Sequence, residues 1–106
     1  MDFRLLGPVE VLQGGRVVAP GGHQQRTLLA ILVLRANQVV STDRLIDLMW
    51  GDSPPHTARK SLQAYVSRLK ASLDGDPPRI TPVPPGYVLR ADPEEIDAVR
   101  FEHLAT

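Results

Sequence analysis

Hydrophobic and polar positions along the chain change their period from two to near 3.6 and back again, and each change marks an element. Phe3-Arg4-Leu5-Leu6 and Val9-Glu10-Val11-Leu12 are short extended segments parted by Gly7-Pro8. Arg16-Val17-Val18 returns as a further strand after the turn Gln13-Gly14-Gly15-Arg16. Glycine supplies the positive φ that such a tight turn needs. Pro20-Gly21-Gly22 closes this small antiparallel sheet.

His23 to Asn37 predicts a helix. Its centre, Leu28 to Leu34, is apolar on every side, so it belongs between the sheet and further helices. Gln38-Val39-Val40 is a short extended link. Ser41 follows as an N-cap, because its hydroxyl can accept from a free amide of the first turn. The second helix spans Thr42 to Trp50, with Leu45, Leu48 and Met49 on one stripe, Ile46 and Trp50 beside it, and Gly51 as its C-cap. Asp52-Ser53-Pro54-Pro55-His56 is a loop, since consecutive prolines cannot continue a helix.

The third helix runs from Thr57 to Leu73. Leu62, Val66, Leu69 and Leu73 fall on one side, the buried stripe. Thr57, Lys60, Ala64, Ser67 and Ala71 lie opposite. Ser61, Tyr65 and Arg68 flank that outer face on one side, and Arg59, Gln63 and Lys70 on the other. After the turn Asp74 to Pro78, Arg79 to Val83 and Gly86 to Arg90 read as a hairpin joined at Pro84-Pro85. Asp92-Pro93 breaks the chain. Glu94 to Thr106 then predicts an amphipathic helix carrying Ile96, Val99, Phe101 and Leu104.

Composition narrows the function. The 106 residues are enough for one core, and 42% hydrophobic with 23% charged residues excludes wholesale disorder. The absence of cysteine excludes a disulfide scaffold, a zinc finger and a thiol nucleophile. The longest apolar run, Leu28 to Leu34, is far short of a membrane span, and Met1-Asp2-Phe3-Arg4 has no signal-peptide pattern. The expectation is a cytoplasmic protein without a membrane partner. The net charge of zero hides an uneven distribution. Residues 23–90 hold nine basic against five acidic side chains, whereas residues 91–106 hold one against five. From residue 53 to 73, Arg59, Lys60, Arg68 and Lys70 have no acidic neighbour in sequence.

Two helices followed by a third with a basic outer face of small residues is the helix-turn-helix plan, with the third helix in the major groove and the hairpin as a wing. Small side chains admit the groove floor, arginine pairs with guanine, and lysine and serine hold phosphate. The DNA-facing candidates are Thr57, Arg59, Lys60, Ser61, Gln63, Ala64, Tyr65, Ser67, Arg68 and Lys70, with Arg79, Thr81 and Arg90 on the hairpin. Three helices and a hairpin also build protein-binding modules, the competing reading. An enzyme is the weaker reading. His23, His56 and His103 each stand at an element end, and none has a second ligand at helical spacing. The glycine pairs match no phosphate-cradling loop. Asp43 and Asp47 could hold a metal, but acidic residues near a helix start are ordinarily a dipole effect. The expectation is no catalytic residue, no metal and no cofactor.

Several motifs carry a resemblance. Leu6-Gly7-Pro8-Val9-Glu10-Val11, Gln25 to Leu32, Val40 to Asp47, Leu48-Met49-Trp50-Gly51-Asp52-Ser53-Pro54-Pro55, Leu62 to Lys70 and Pro85-Gly86-Tyr87-Val88-Leu89 occur together and in this order. The chain thereby resembles the DNA-binding domain of the Streptomyces antibiotic regulatory proteins. The resemblance implies an α+β winged helix-turn-helix of the OmpR type: an N-terminal antiparallel sheet, three helices and a C-terminal hairpin wing. It covers residues 3 to about 92, and implies a DNA-binding domain over residues 1–92. Residues 93–106, through Ile96 to Leu104, resemble the first helix of the bacterial transcriptional activation domain that follows in this family.

The resemblance implies a transcriptional activator that binds direct repeats near the −35 element as a tandem pair and recruits RNA polymerase holoenzyme to biosynthetic gene clusters. Lys60, Ser61, Ala64, Tyr65, Arg68 and Lys70 match the DNA-facing positions of the recognition helix, and Thr81 matches a wing threonine. Asp52, Ser53, Pro54, Pro55 and His56 match the loop that faces polymerase. Val83, followed by Pro84-Pro85, stands where many such wings carry a minor-groove arginine, so minor-groove reading does not carry over. Two alternatives stay open. One is a DNA-binding fragment of a large multidomain regulator with an ATPase or phosphopeptide-binding module, and the other is a winged helix that binds protein.

Overall fold

A computed structural model of the chain describes residues 2–5, 9–13, 16–18, 21–73 and 78–97. The expected break at Gly7-Pro8, the Gly14-Gly15 turn, most of the turn after the third helix and the body of the last helix lie outside the described residues.

Strands β1 (Asp2–Arg4), β2 (Glu10–Gln13) and β3 (Arg16–Val18) form an antiparallel sheet in the order β1-β2-β3. Phe3 pairs with Val11, and Val11 with Val18. Both Phe3 and Val11 are buried, so this register directs the apolar set of β1 and β2 inward. Helix α1 (His23–Leu34) lies in the middle of the core, with Leu28, Leu29, Leu32 and Val33 buried.

The sequence predicts a longer α1, to Asn37. The chain leaves the helix earlier because Asn37 adopts φ 68°, a conformation asparagine tolerates better than most residues. The Asn37 backbone N–H donates to the Leu89 carbonyl at 2.7 Å. Its side-chain amide donates to the Ala91 carbonyl at 2.7 Å and accepts from the Ala91 N–H at 3.3 Å. Hydrogen bonds to a segment far along the chain replace the last helical turn. Leu34, expected inside, is 70% exposed.

The extended link before the second helix is itself a strand. β4 (Val40–Ser41) pairs antiparallel with β6 (Gly86–Leu89), which pairs with β5 (Ile80–Val83), so the hairpin belongs to a three-stranded sheet of order β4-β6-β5. Gly86 permits this close approach, because a Cβ there would collide with the backbone of Val40 and Ser41.

Helix α2 (Thr42–Trp50) starts as its sequence predicts. The Ser41 hydroxyl accepts from the Arg44 N–H at 3.1 Å. Gly51, at φ 64°, ends the helix with its N–H on the Asp47 carbonyl at 2.8 Å. Of the expected apolar stripe, Leu45 is buried, and Ile46 and Met49 pack at the edge of the core. Leu48 is instead 42% exposed, because α1 and α3 both press on the Leu45 side of this short helix.

Helix α3 (Ala58–Ser72) buries Leu62, Val66 and Leu69, and Leu73 just beyond it, as its period predicts. Burial of each such side chain contributes about 1.5 to 3 kcal/mol. Thr57 occupies the N-cap position through its backbone. Its carbonyl accepts from the Ser61 N–H at 2.9 Å, while its hydroxyl makes no cap bond.

Beyond β6 the chain turns through a short 3-10 helix (Pro93–Glu95), where the sequence predicts the start of a longer helix. Ile96 is extended and bridges in parallel to Phe3, and the Leu5 N–H donates to the Asp97 carboxylate at 2.7 Å. Ile96 is buried in the same core as Phe3 and Leu89. The segment after the wing is thus packed onto the N-terminal sheet.

Candidate nucleic-acid interface

Because Leu62, Val66 and Leu69 turn one side of α3 inward, the opposite side must face solvent. Thr57, Lys60, Ala64, Ser67 and Ala71 are all exposed, as are the flanking Arg59, Gln63, Arg68 and Lys70. Ser61 is partly buried. Tyr65, also partly buried, leans its ring on the core. The centre of the face is therefore an alanine and two serine or alanine neighbours, with cationic side chains around it. A helix so arranged can bring its backbone close to the floor of a major groove while its rim reaches phosphates.

The cations differ in how they are held. Lys60, Arg68, Lys70 and Arg90 are exposed and make no ion pair among the described residues. Arg59 sends Nη2 to Asp43 Oδ1, 2.6 Å away, with side chains 68% and 82% exposed. Arg79 is bound otherwise. Its Nη1 and Nη2 donate to Glu95 Oε1 and Oε2, each at 2.7 Å, with side chains 25% and 18% exposed. The Arg79 guanidinium also donates to the Arg90 carbonyl at 3.3 Å and lies 5.9 Å from the centre of the Phe3 ring. The hydrogen bond from Arg79 holds the Glu95 carboxyl at about 2 against the lifting effect of burial, helped by the Asp92 N–H. The same pairing raises the pKa of Arg79.

On the wing, Thr81 and Val83 are partly buried, whereas Pro82, Pro84 and Pro85 are exposed. The turn is anchored to α2, since both the backbone N–H and the hydroxyl of Thr42 donate to the Pro85 carbonyl, at 3.1 and 3.2 Å. The loop Asp52 to His56 is exposed throughout. It folds back along α2, so that Pro54, Pro55 and His56 share an open groove of about 600 Å³ with Asp43, Ile46 and the first turn of α3.

The outward residues of α3 are exposed where their period places them, whereas the contact that Arg59 makes with the first turn of α2 has no signal in the sequence. Beside Asp47, Asp43 reads in sequence as a helix-dipole or metal residue; its partner Arg59 is sixteen residues away on another helix. No spacing rule within one element could have found that pair. Among the described residues no group of three or more His, Asp or Glu side chains could hold a metal, and no helix is long and apolar enough to cross a membrane.

Together, a tri-helical core, a basic third-helix face and a strand-backed hairpin define a winged-helix DNA-binding domain. Comparison with known proteins agrees. The family model described as "Transcriptional regulatory protein, C terminal" matches residues 18–89, and the chain belongs to this OmpR-type family of DNA-binding domains. It is similar to the transcriptional regulatory protein EmbR of Mycobacterium tuberculosis, 40% identical over 105 residues, 95% of this chain and 27% of EmbR. It is 38% identical over 107 residues to the regulatory protein AfsR of Streptomyces coelicolor, covering 100% of this chain and 11% of AfsR. To the regulatory protein DnrI of Streptomyces peucetius it is 32% identical over 114 residues, 99% of this chain and 42% of DnrI. The solved structure of M. tuberculosis EmbR in complex with a low-affinity phosphopeptide superposes with a TM-score of 0.89 at 38% identity, over 94% of this chain and 27% of that one. The resemblance to the Streptomyces antibiotic regulatory proteins and the winged-helix fold it implies are borne out. The chain spans well under half the length of these relatives.

Proposed function

We propose that this domain is the sequence-specific DNA-binding module of a transcriptional activator, with α3 in the major groove. One observation carries the reading: the outer side of α3 is exposed along its whole length, acid-free and rimmed by Lys60, Arg68 and Lys70, while its inner side is wholly buried. Gln63, Ala64, Ser67 and Arg68 face base edges with the partly buried Ser61 and Tyr65 at their margin, Thr57, Lys60 and Lys70 hold backbone, and Arg59, paired with Asp43, adds little to either. On the wing, Thr81 and Arg90 reach phosphate. Arg79 leaves the DNA-facing set, because both ends of its fork are taken by Glu95. Tandem chains on direct repeats near the −35 element, recruitment of RNA polymerase through Asp52 to His56, a cytoplasmic setting and a biosynthetic gene cluster as target complete the proposal. They rest on the family resemblance, and the exposed, proline-stiffened loop supports the polymerase contact. In this reading residues 1–92 form the DNA-binding domain, and residues 93–106 begin a downstream activation domain. A second reading, the same module within a large multidomain signalling regulator, is supported by the small share of EmbR and AfsR that the chain spans.

The test is a titration of the chain against a duplex enriched from a randomised pool, repeated over a range of salt. About three to five neutralised phosphates give a slope of log K against log salt of roughly −3 to −4.5. A slope near zero overturns the reading.

A further inference from the structure

The wing and the recognition helix meet at two adjacent residues of α2. Thr42 holds the wing turn through its two bonds to the Pro85 carbonyl. Asp43, next in the chain, holds Arg59 at the start of α3. The base for both is firm, because the first turn of α2 is capped by Ser41 and preceded by β4, which is paired into the wing sheet. Asp43 is thus a short side chain on a fixed backbone, and Arg59 is a long side chain brought to it. The carboxylate lies on the wall of the open groove that runs beside Arg59 and Lys60.

We infer that Asp43 is a specificity-determining positioning residue, which restrains Arg59 and keeps its charge from seizing DNA phosphate of any sequence. This rests on the reading that α3 faces DNA. Sequence-independent affinity comes from cations free to neutralise phosphates, whereas discrimination comes from side chains held in register with base edges. A mobile arginine at the entrance to the recognition helix adds to the first and nothing to the second. Pairing with Asp43 offsets part of its charge and gives it one direction, while Lys60, Arg68 and Lys70 remain unpaired among the described residues. The pair is exposed, so it contributes little to folding.

Asp43→Asn removes the charge and keeps the shape. Affinity of the 106-residue chain is measured on the duplex it enriches from a randomised pool and on a shuffled duplex of the same composition, each over a range of salt. The variant is expected to bind the shuffled duplex several-fold more tightly, with its salt slope steeper by about 0.9, and to gain less on the enriched duplex. The ratio between the two falls, and the melting temperature drops by no more than a few degrees, since only a helix-end charge is lost. The decisive control is Asp43→Asn in an Arg59→Ala background. There the gain on shuffled DNA is expected to vanish. A gain that persists without Arg59 means Asp43 merely repels phosphate and overturns the inference, as does an unchanged ratio in the single variant. A parent chain whose affinity ignores salt would instead retire the DNA-facing reading, and this inference with it.

Discussion

Two arginines, each paired with a carboxylate across elements, stand in two different settings. On the side of the N-terminal sheet, Arg79 grips Glu95 through both nitrogens, over the Phe3 ring, in a site where Ile96 is buried and Asp97 takes the Leu5 amide. On the side of α3, Arg59 touches Asp43 through one nitrogen in the open. The first pair is partly shielded from water, fixed by two parallel bonds, and joins the start of the wing hairpin to the segment that follows it. The second is solvated and joins two helices that already share one core, to which they contribute Leu45 and Leu62. Proximity to a carboxylate does not by itself say what an arginine does; burial and the number of fixed bonds decide whether it holds the fold or meets a ligand.

The largest expected effect breaks the first side alone. Glu95→Gln, or Arg79→Ala, should cost about 2 to 3 kcal/mol of stability, since a partly buried charge loses its partner. Affinity of the folded molecules for DNA should not change. Acid gives an independent reading of the same contact. The folded Glu95 carboxyl lies at about 2, below its ordinary 4.5. Its contribution is therefore complete above about 4.5 and is lost as pH falls through about 2. Chemical unfolding followed down that window should show a loss in the parent that is flattened in Glu95→Gln. A variant that unfolds at the parent's denaturant concentration would show that the clamp holds nothing.

The next effect sharpens the other side. Arg68→Ala should weaken binding to an enriched duplex by about 1 to 2 kcal/mol and to a shuffled one by less. Arg59→Ala should lose under about 1 kcal/mol, equally on both, because Asp43 already offsets its charge. Neither should shift the melting temperature. Equal losses for the two variants on both duplexes would erase the distinction between reading and holding.

The smallest effect on affinity is expected where neither side is touched. Asp52→Ala with His56→Ala, in the full-length regulator, should leave operator binding as it was. In vitro transcription from a dependent promoter should fall several-fold. Undiminished transcription would move the polymerase contact elsewhere.

Much of this domain was legible in the order of its residues. The inner and outer sides of α3 follow from period alone, because Leu62, Val66, Leu69 and Leu73 recur at helical spacing and everything opposite is small, polar or basic. The Ser41 cap, the Gly51 stop and the Pro84-Pro85 hairpin turn are local, so local chemistry announces them. Trp50 shows the limit of such reasoning: its place at the end of an apolar stripe suggests a core residue, yet it is only partly buried, as α2 offers the core little beyond Leu45.

Other features depend on segments far apart in sequence, and no periodicity encodes them. Val40 becomes a strand because Gly86 leaves room for it, and α1 stops short because Asn37 finds Leu89 and Ala91. Arg79 looks like a phosphate ligand in sequence and is a clamp in space, while Asp43 looks incidental and meets Arg59. The residue order determined the helices, their buried stripes and the charge of the outer face, since each depends on neighbours within a turn or two. Which charges remain available to DNA was decided only by the tertiary structure, because a charge is cancelled by whatever lies beside it in space.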